Sequence, residues 1–308
     1  MVKIEFRSMG SNMRVVLEED TPQARQALSL VPVWFEGWEA CLSRFRPDSE
    51  LNELNRHAGQ WEEVSPVMWE LLVAGLRAEH QSGGLVTPAL QGVLAGYGYD
   101  RSFELIATLD TAMHMTDLRA SPLPGMSIQM DAQGSRVLLP EGTLLDFGGI
   151  AKGWAADRTL ELLEPFGAAL VDAGGDIATS KTADERAAWP VGVTDPFAPD
   201  ETLVLLELRG EAVATSGRDV HIWMENGASR HHIIDPRSGE PAVSRVLTAT
   251  VIAPTAVKAE VGAKCALILG EVEGKAWLDA RPELAGMLVL EDGAVVYSET
   301  FKNYLWSD

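Results

Sequence analysis

Cysteine is almost absent: the 308 residues hold two, Cys41 and Cys265. They are far apart and in no metal-type spacing, so both read as small buried hydrophobes rather than as a disulfide or zinc framework. Positive charge is also scarce. Lys and Arg number 25 against 45 Asp and Glu, a formal net charge of −20, and nowhere do basic residues form a block. A nucleic-acid binder needs a basic footprint, and an anionic membrane surface needs one too. No stretch approaches the roughly 20 apolar residues that span a bilayer. The opening MVKIEFRSMGSNM mixes charged and apolar residues and lacks the apolar core of a signal peptide. The expectation is a cytoplasmic protein with no nucleic-acid partner and no membrane insertion.

What is present is ordinary globular material: 46% hydrophobic and 23% charged residues in a chain long enough to bury a large core without staples. No repeat and no low-complexity linker divides it, so one domain over 1–308 is expected. Lys3–Phe6 and Arg14–Glu18 alternate like hairpin arms around Gly10-Ser11-Asn12. Thr21-Pro22 starts a helix to about Leu42, and Ser65-Pro66 another through about Glu79, ended by Gly83-Gly84. Further on come a hairpin over Ser127–Leu139, a strand over Leu144–Phe147, a helix to about Glu164 and a strand over Ala168–Asp172. Strands follow near 190–194, 202–208 and 211–215, then a hairpin Val220–Met224 and Arg230–Ile234 around Asn226-Gly227. A strand Leu247–Ala253, a helix Ala256–Leu269 and a hairpin over 287–297 complete the pattern. These runs lack strict βαβ alternation, so the fold class is α+β.

Four segments carry candidate chemistry. Asp146-Phe147-Gly148-Gly149-Ile150-Ala151-Lys152 sets two glycines and a lysine at a helix start. It is either a phosphate cradle or a plain glycine-rich turn with a solvated lysine, and it matches neither GxGxxG nor GxxxxGK[ST]. Ala173-Gly174-Gly175-Asp176 follows an apolar strand and is either a structural turn or a close approach to a ligand. His231-His232 lies before Asp235-Pro236-Arg237-Ser238-Gly239. Neighbouring strand histidines face opposite ways, so they cannot share a metal, but one of them beside an Asp suits a general base. Glu260 and Lys264 share one face of an otherwise apolar helix, where charges require a partner or an ion.

In order along the chain, these segments resemble the FAD:protein FMN transferases, the ApbE-like family. Met9-Gly10-Ser11 resembles its opening Met-Gly-Thr, and Phe45-Arg46-Pro47-Asp48-Ser49-Glu50-Leu51 matches its Arg-Pro-Asp-Ser-Glu-Leu segment. Thr87-Pro88-Ala89-Leu90 with Gly96-Tyr97-Gly98, Asp146–Lys152, Gly174-Gly175-Asp176 and His232–Gly239 also match. The resemblance implies one α+β unit (T-fold-related), with mixed or antiparallel sheets flanked by helices and FAD in a cleft. It implies cleavage of the FAD diphosphate, transfer of FMN to a Thr or Ser hydroxyl of an acceptor protein, and release of AMP. An FAD pyrophosphatase and a silent FAD-binding protein are the rivals.

By position, the resemblance makes Met9, Phe45, Thr87, Asp146, Lys152 and Ile233 flavin-contacting residues. It makes His232 the base for the acceptor proton, with Asp235 orienting it. Positive charge for the diphosphate must be concentrated locally in so acidic a chain, and Lys152, Arg218 and Lys264 supply it. One departure stands out. The family's Mg²⁺ is held by a main-chain carbonyl, here Gly149, and by an Asp and a Thr four apart on the late helix, here Glu260 and Lys264. Glutamate can still hold Mg²⁺, but a charged lysine has no lone pair to give. The expectation is that Lys264 takes part of the cation's place.

Overall fold

A computed structural model describes residues 1–99, 128–184, 187–220, 222–225 and 228–307. Ser127 and the Asn226-Gly227 turn, both in expected hairpins, lie outside the described residues. The chain divides into two compact units. One is built from Met1–Glu36, Ile150–Asp219 and Ser244–Asp308, the other from Gly37–Gly149 and Val220–Val243.

The first unit is organised by an eight-stranded antiparallel sheet: β1 (Val2–Ser8), β2 (Ser11–Leu17), β3 (Ala169–Ala173), β4 (Asp176–Thr179), β5 (Ala212–Gly217), β6 (Val246–Ala253), β7 (Ala285–Leu290) and β8 (Val295–Tyr297). The strands lie side by side in that order. The second unit leaves the sheet in two excursions, after β2 and between β5 and β6. β1 and β2 turn on Met9 (φ 48°) and Gly10 (φ 71°), the two positive angles of a tight hairpin turn. Gly174 (φ 69°) and Gly175 (φ 94°) make the same turn between β3 and β4. A Cβ on Gly174 would stand 2.5 Å from Ser11 Cβ, so the two turns pack together at one end of the sheet.

β6 is buried along nearly its whole length because both faces of the sheet are covered. On one face, Val191, Leu206 and Leu208 of the hairpin Trp189–Asp195/Ala198–Leu208 meet Val213, Ile252, Met287 and Phe301. On the other face lie α5 (Ala151–Leu163) and α6 (Ala256–Asp279), named here after α1 (Pro22–Leu42), α2 (Glu50–Arg56), α3 (Pro66–Ser82) and α4 (Gln91–Gly96) of the same chain. Gly262 of α6 sits so close to Val251 that a Cβ would come within 2.9 Å. The helical geometry breaks at Gly270 (φ 83°), one residue after the expected end at Leu269.

In the second unit α2, α3 and α4 accompany a three-stranded sheet, ordered Trp61–Glu63, Arg136–Leu138, Gln129–Asp131. Its core includes Val93, Leu94, Tyr97, Trp223 and Ile234. Ser49 and Ser65 cap α2 and α3 through their hydroxyls. The hairpin forms over Ile222–Glu225 and Ala228–His231, so its second arm ends before His232 instead of running to Ile234 as expected. Leu144–Phe147 is not a strand. The side chain of Asn55 binds the N–H and C=O of Leu145 at 2.8 and 3.0 Å, and Asp146 N–H donates to Pro88 O at 2.7 Å. With their main-chain groups satisfied this way, Leu145 and Phe147 are buried without a ladder.

Candidate functional site

In the first unit four charged side chains form one group, its two carboxylates buried and its two ammoniums half-buried. Lys152, in the first turn of α5, pairs with Asp176, which follows the Gly174-Gly175 turn. Glu260 and Lys264 lie one turn apart on α6, and Lys264 Nζ donates to Glu260 Oε1 at 3.0 Å. The second oxygen, Glu260 Oε2, accepts the N–H of Gly153 at 3.1 Å, which joins α6 to the start of α5. That bond requires glycine: a Cβ at 153 would lie 2.8 Å from the main-chain carbonyl of Ala256. Asp157 completes the junction, accepting Ala256 N–H and Val257 N–H at 2.7 and 3.0 Å.

Burial lowers the Lys152 pKa, but the Asp176 and Glu260 carboxylates outweigh it and hold the ammonium charged, above its ordinary range. Burial likewise raises Glu260, and Lys264 with Lys152 reverses this and holds its carboxyl below the usual value. Burial pushes Asp176 up in spite of Lys152. Met9 lies at the tip of the β1–β2 turn, whose Ser11 touches Gly174. The structure does not bring Arg218 into the lysine group. Its guanidinium donates to the carbonyls of Val246 (2.9 Å) and Ser244 and pairs with Glu291 at 2.7 Å, tying β6 to the chain after β7.

In the second unit the expected residues gather around Arg44. Its guanidinium lies over the rings of Phe45 (4.5 Å) and Tyr99 (4.3 Å) and 3.6 Å from the Asp146 carboxylate. Tyr99 stacks on Trp223 at 5.5 Å and meets the His232 ring edge-on at 6.5 Å. Asp146 Oδ1 also accepts Gly148 N–H at 2.7 Å, which shapes the turn leading to Gly149. Thr87 donates to Glu79 at 2.7 Å and accepts Ala89 N–H at 3.2 Å.

Two expected roles meet other partners. The carboxylate of Asp235, expected to orient His232, is held by the Arg237 guanidinium at 2.8 Å. Burial raises Asp235, but Arg237 overrides it and keeps the carboxyl below its ordinary value. The Ile233 side chain is core, and its carbonyl accepts Ala242 N–H at 2.9 Å.

Sequence reasoning passed over Arg44, Tyr99, Trp223 and Asp157 and left Asp176 as part of a turn. A signal existed only for Asp176, a carboxylate directly after an apolar strand and two glycines, where burial demands a cation.

The family model described as the ApbE family matches residues 9–288. The chain belongs to the ApbE family. A relative from Treponema pallidum (strain Nichols), named FAD:protein FMN transferase, is 30% identical over 92% of this chain and 82% of its own. Another of the same name, from Salmonella typhimurium, is 26% identical over 99% of this chain and 89% of its own. The crystal structure of the ApbE protein from Thermotoga maritima superposes with a TM-score of 0.86 at 25% identity, covering 99% of both chains. The flavin transferase ApbE from Vibrio cholerae has a TM-score of 0.81 at 20% identity over 99% of both, a likeness of fold. The expected α+β fold agrees with these structures.

The residues at the expected metal position do not fit a divalent cation. Both oxygens of Glu260 already accept hydrogen bonds, from an ammonium and from a main-chain amide. Lys264 brings a positive charge and no lone pair. Among the described residues, no three His, Cys, Asp or Glu side chains converge as metal ligands.

Proposed function

We propose that this chain is an FAD:protein FMN transferase acting on a Thr or Ser hydroxyl of an acceptor protein. The family match over 9–288, with curated relatives carrying that activity in their names, is the observation that carries the reading. The buried lysine–carboxylate group of the first unit suits an incoming diphosphate. The Phe45, Tyr99 and Trp223 rings of the second unit, with Arg44 and Asp146, suit a planar heteroaromatic and its polar edge. Met9, Thr87 and Ile233 border FAD in this reading, and the whole of 1–308 works as one catalytic domain.

In the reaction the acceptor hydroxyl oxygen attacks the FMN phosphorus, the bond from that phosphorus to the bridging oxygen breaks, and AMP leaves with that oxygen. His232 takes the hydroxyl proton, with Tyr99 against its ring fixing its plane. Arg237 braces the Asp235 carboxylate three residues after His232. In this reading the protein works in the cytoplasm, which its two free thiols, Cys41 and Cys265, support. Among the described residues no helix is long and apolar enough to cross a membrane.

The test is incubation with FAD and a candidate acceptor, followed by mass spectrometry and AMP assay. AMP together with an acceptor heavier by FMN is the expected result. AMP with free FMN and an unlabelled acceptor would make the chain a pyrophosphatase, and intact bound FAD would make it a binding protein.

A further inference from the structure

We infer that Lys264, with Lys152, forms a metal-free receptor for a diphosphate, at the position where the sequence resemblance leads one to expect a divalent cation. This deepens the transferase reading and rests on it for the identity of the diphosphate.

The order of charges from solvent inward carries the inference. The carboxylates lie at the bottom: the side chains of Asp176 and Glu260 are 3% and 2% exposed. The ammoniums lie above them: Lys152 is 28% and Lys264 17% exposed. A cation arriving from solvent meets two like charges before it reaches any carboxylate oxygen, so the layering rejects it. An anion meets the ammoniums first, and an ammonium donates charge-assisted hydrogen bonds to anionic oxygens. The buried carboxylates hold both lysines in place, so little side-chain entropy remains to be lost on binding.

Three side-chain contacts fix the geometry: Lys152 to Asp176, Lys264 to Glu260, and Glu260 to the Gly153 amide. The last anchors α6 to the first turn of α5. A metal site of the expected kind would leave Glu260 Oε1 open to the ion. Here Lys264 closes it at 3.0 Å. The four charges also cancel pairwise, which removes the need for a counter-ion in the empty state.

The test uses the full-length protein and inorganic pyrophosphate, so that it does not depend on FAD chemistry. Calorimetry in EDTA is expected to show pyrophosphate binding by the wild type. Lys264→Met is expected to weaken it by roughly tenfold or more, and Lys264→Arg to retain most of it. In parallel, Mn²⁺ added to wild type is expected to keep the electron paramagnetic resonance signal of the free ion, while Lys264→Thr, which removes the ammonium, gains Mn²⁺ binding. Pyrophosphate heat that appears only with Mg²⁺, or stoichiometric Mn²⁺ uptake by the wild type, would overturn the proposal. Both wild-type measurements stand even if a variant fails to fold. Pyrophosphate bound in EDTA with no FAD binding would defeat the transferase reading and leave the anion site standing.

Discussion

The main-chain N–H of Gly153 donates to Glu260 Oε2 at 3.1 Å, and this bond joins two helix starts 107 residues apart in the chain. It exists because residue 153 has no side chain. A methyl group there would press against the Ala256 carbonyl at 2.8 Å and the Val257 nitrogen at 2.9 Å. Both obstacles are backbone, so the helices themselves would have to part. Gly153→Ala is expected to cost about 1–3 kcal/mol of stability. It should also reduce FMN transfer by more than the lost stability explains, because Glu260 loses a fixed donor. Urea unfolding beside transfer assays on the folded fraction checks both, and a fully stable variant would show that the junction yields.

Arg44 offers a test that needs no assumption about substrate. Its guanidinium carbon lies over both the Phe45 and the Tyr99 ring, and the group also faces Asp146. A lysine keeps the charge but lacks the broad, weakly hydrated guanidinium that reaches both rings and the carboxylate. Arg44→Lys is therefore expected to lower stability by about 0.5–2 kcal/mol in denaturant titrations. An unchanged midpoint would mean that the stack contributes nothing.

Much of this was legible in the sequence where local chemistry decides the outcome. The Met9-Gly10 and Gly174-Gly175 turns, the Ser65-Pro66 start and the end at Leu269 all follow from glycine, proline and capping rules, and the helix Pro22–Leu42 matches its expected span. The failures at Leu144–Phe147 and Arg218 have one physical origin, a partner distant in sequence. Leu144–Phe147 reads as a strand by apolarity, but Asn55, 90 residues from Leu145, supplies its hydrogen bonds. Arg218 looked like a charge for phosphate until the fold placed Glu291 and two carbonyls around it. Asp235 looked like a partner for His232, yet Arg237 lies two residues away and takes it. Lys152 and the pair Glu260/Lys264 were visible singly. Asp176 as the fourth member was not, because nothing local announces which cation will neutralise a buried carboxylate.

His232 is expected to act in the chemical step. His232→Asn preserves a planar polar side chain against Tyr99 but cannot take up a proton at neutral pH. Transfer turnover is expected to fall by about 10²–10⁴-fold. FAD affinity, read from flavin fluorescence, is expected to change far less. Loss of affinity in step with turnover would instead make His232 a binding residue.

Asp157 makes acid stability depend on pH in the unusual direction. Burial pushes its carboxyl from 3.8 up to about 6, against the lowering effect of the Ala256 and Val257 amides, and Glu161 and Glu260 add to the rise. A carboxyl raised by folding takes up a proton when the chain folds. Its contribution to stability is therefore complete below the unfolded value and is lost as pH climbs through about 6. Asp157→Asn cannot ionise and so removes this dependence, while its weaker capping of α6 adds an offset that pH leaves unchanged. The stability of Asp157→Asn minus that of the wild type is thus expected to rise by about 1–3 kcal/mol between about pH 4 and about pH 7. Thermal or urea unfolding of the two proteins across that range measures the difference directly. A difference that stays flat with pH would mean that Asp157 titrates alike in the folded and unfolded chains, and that its amide contacts cancel the cost of burying its charge.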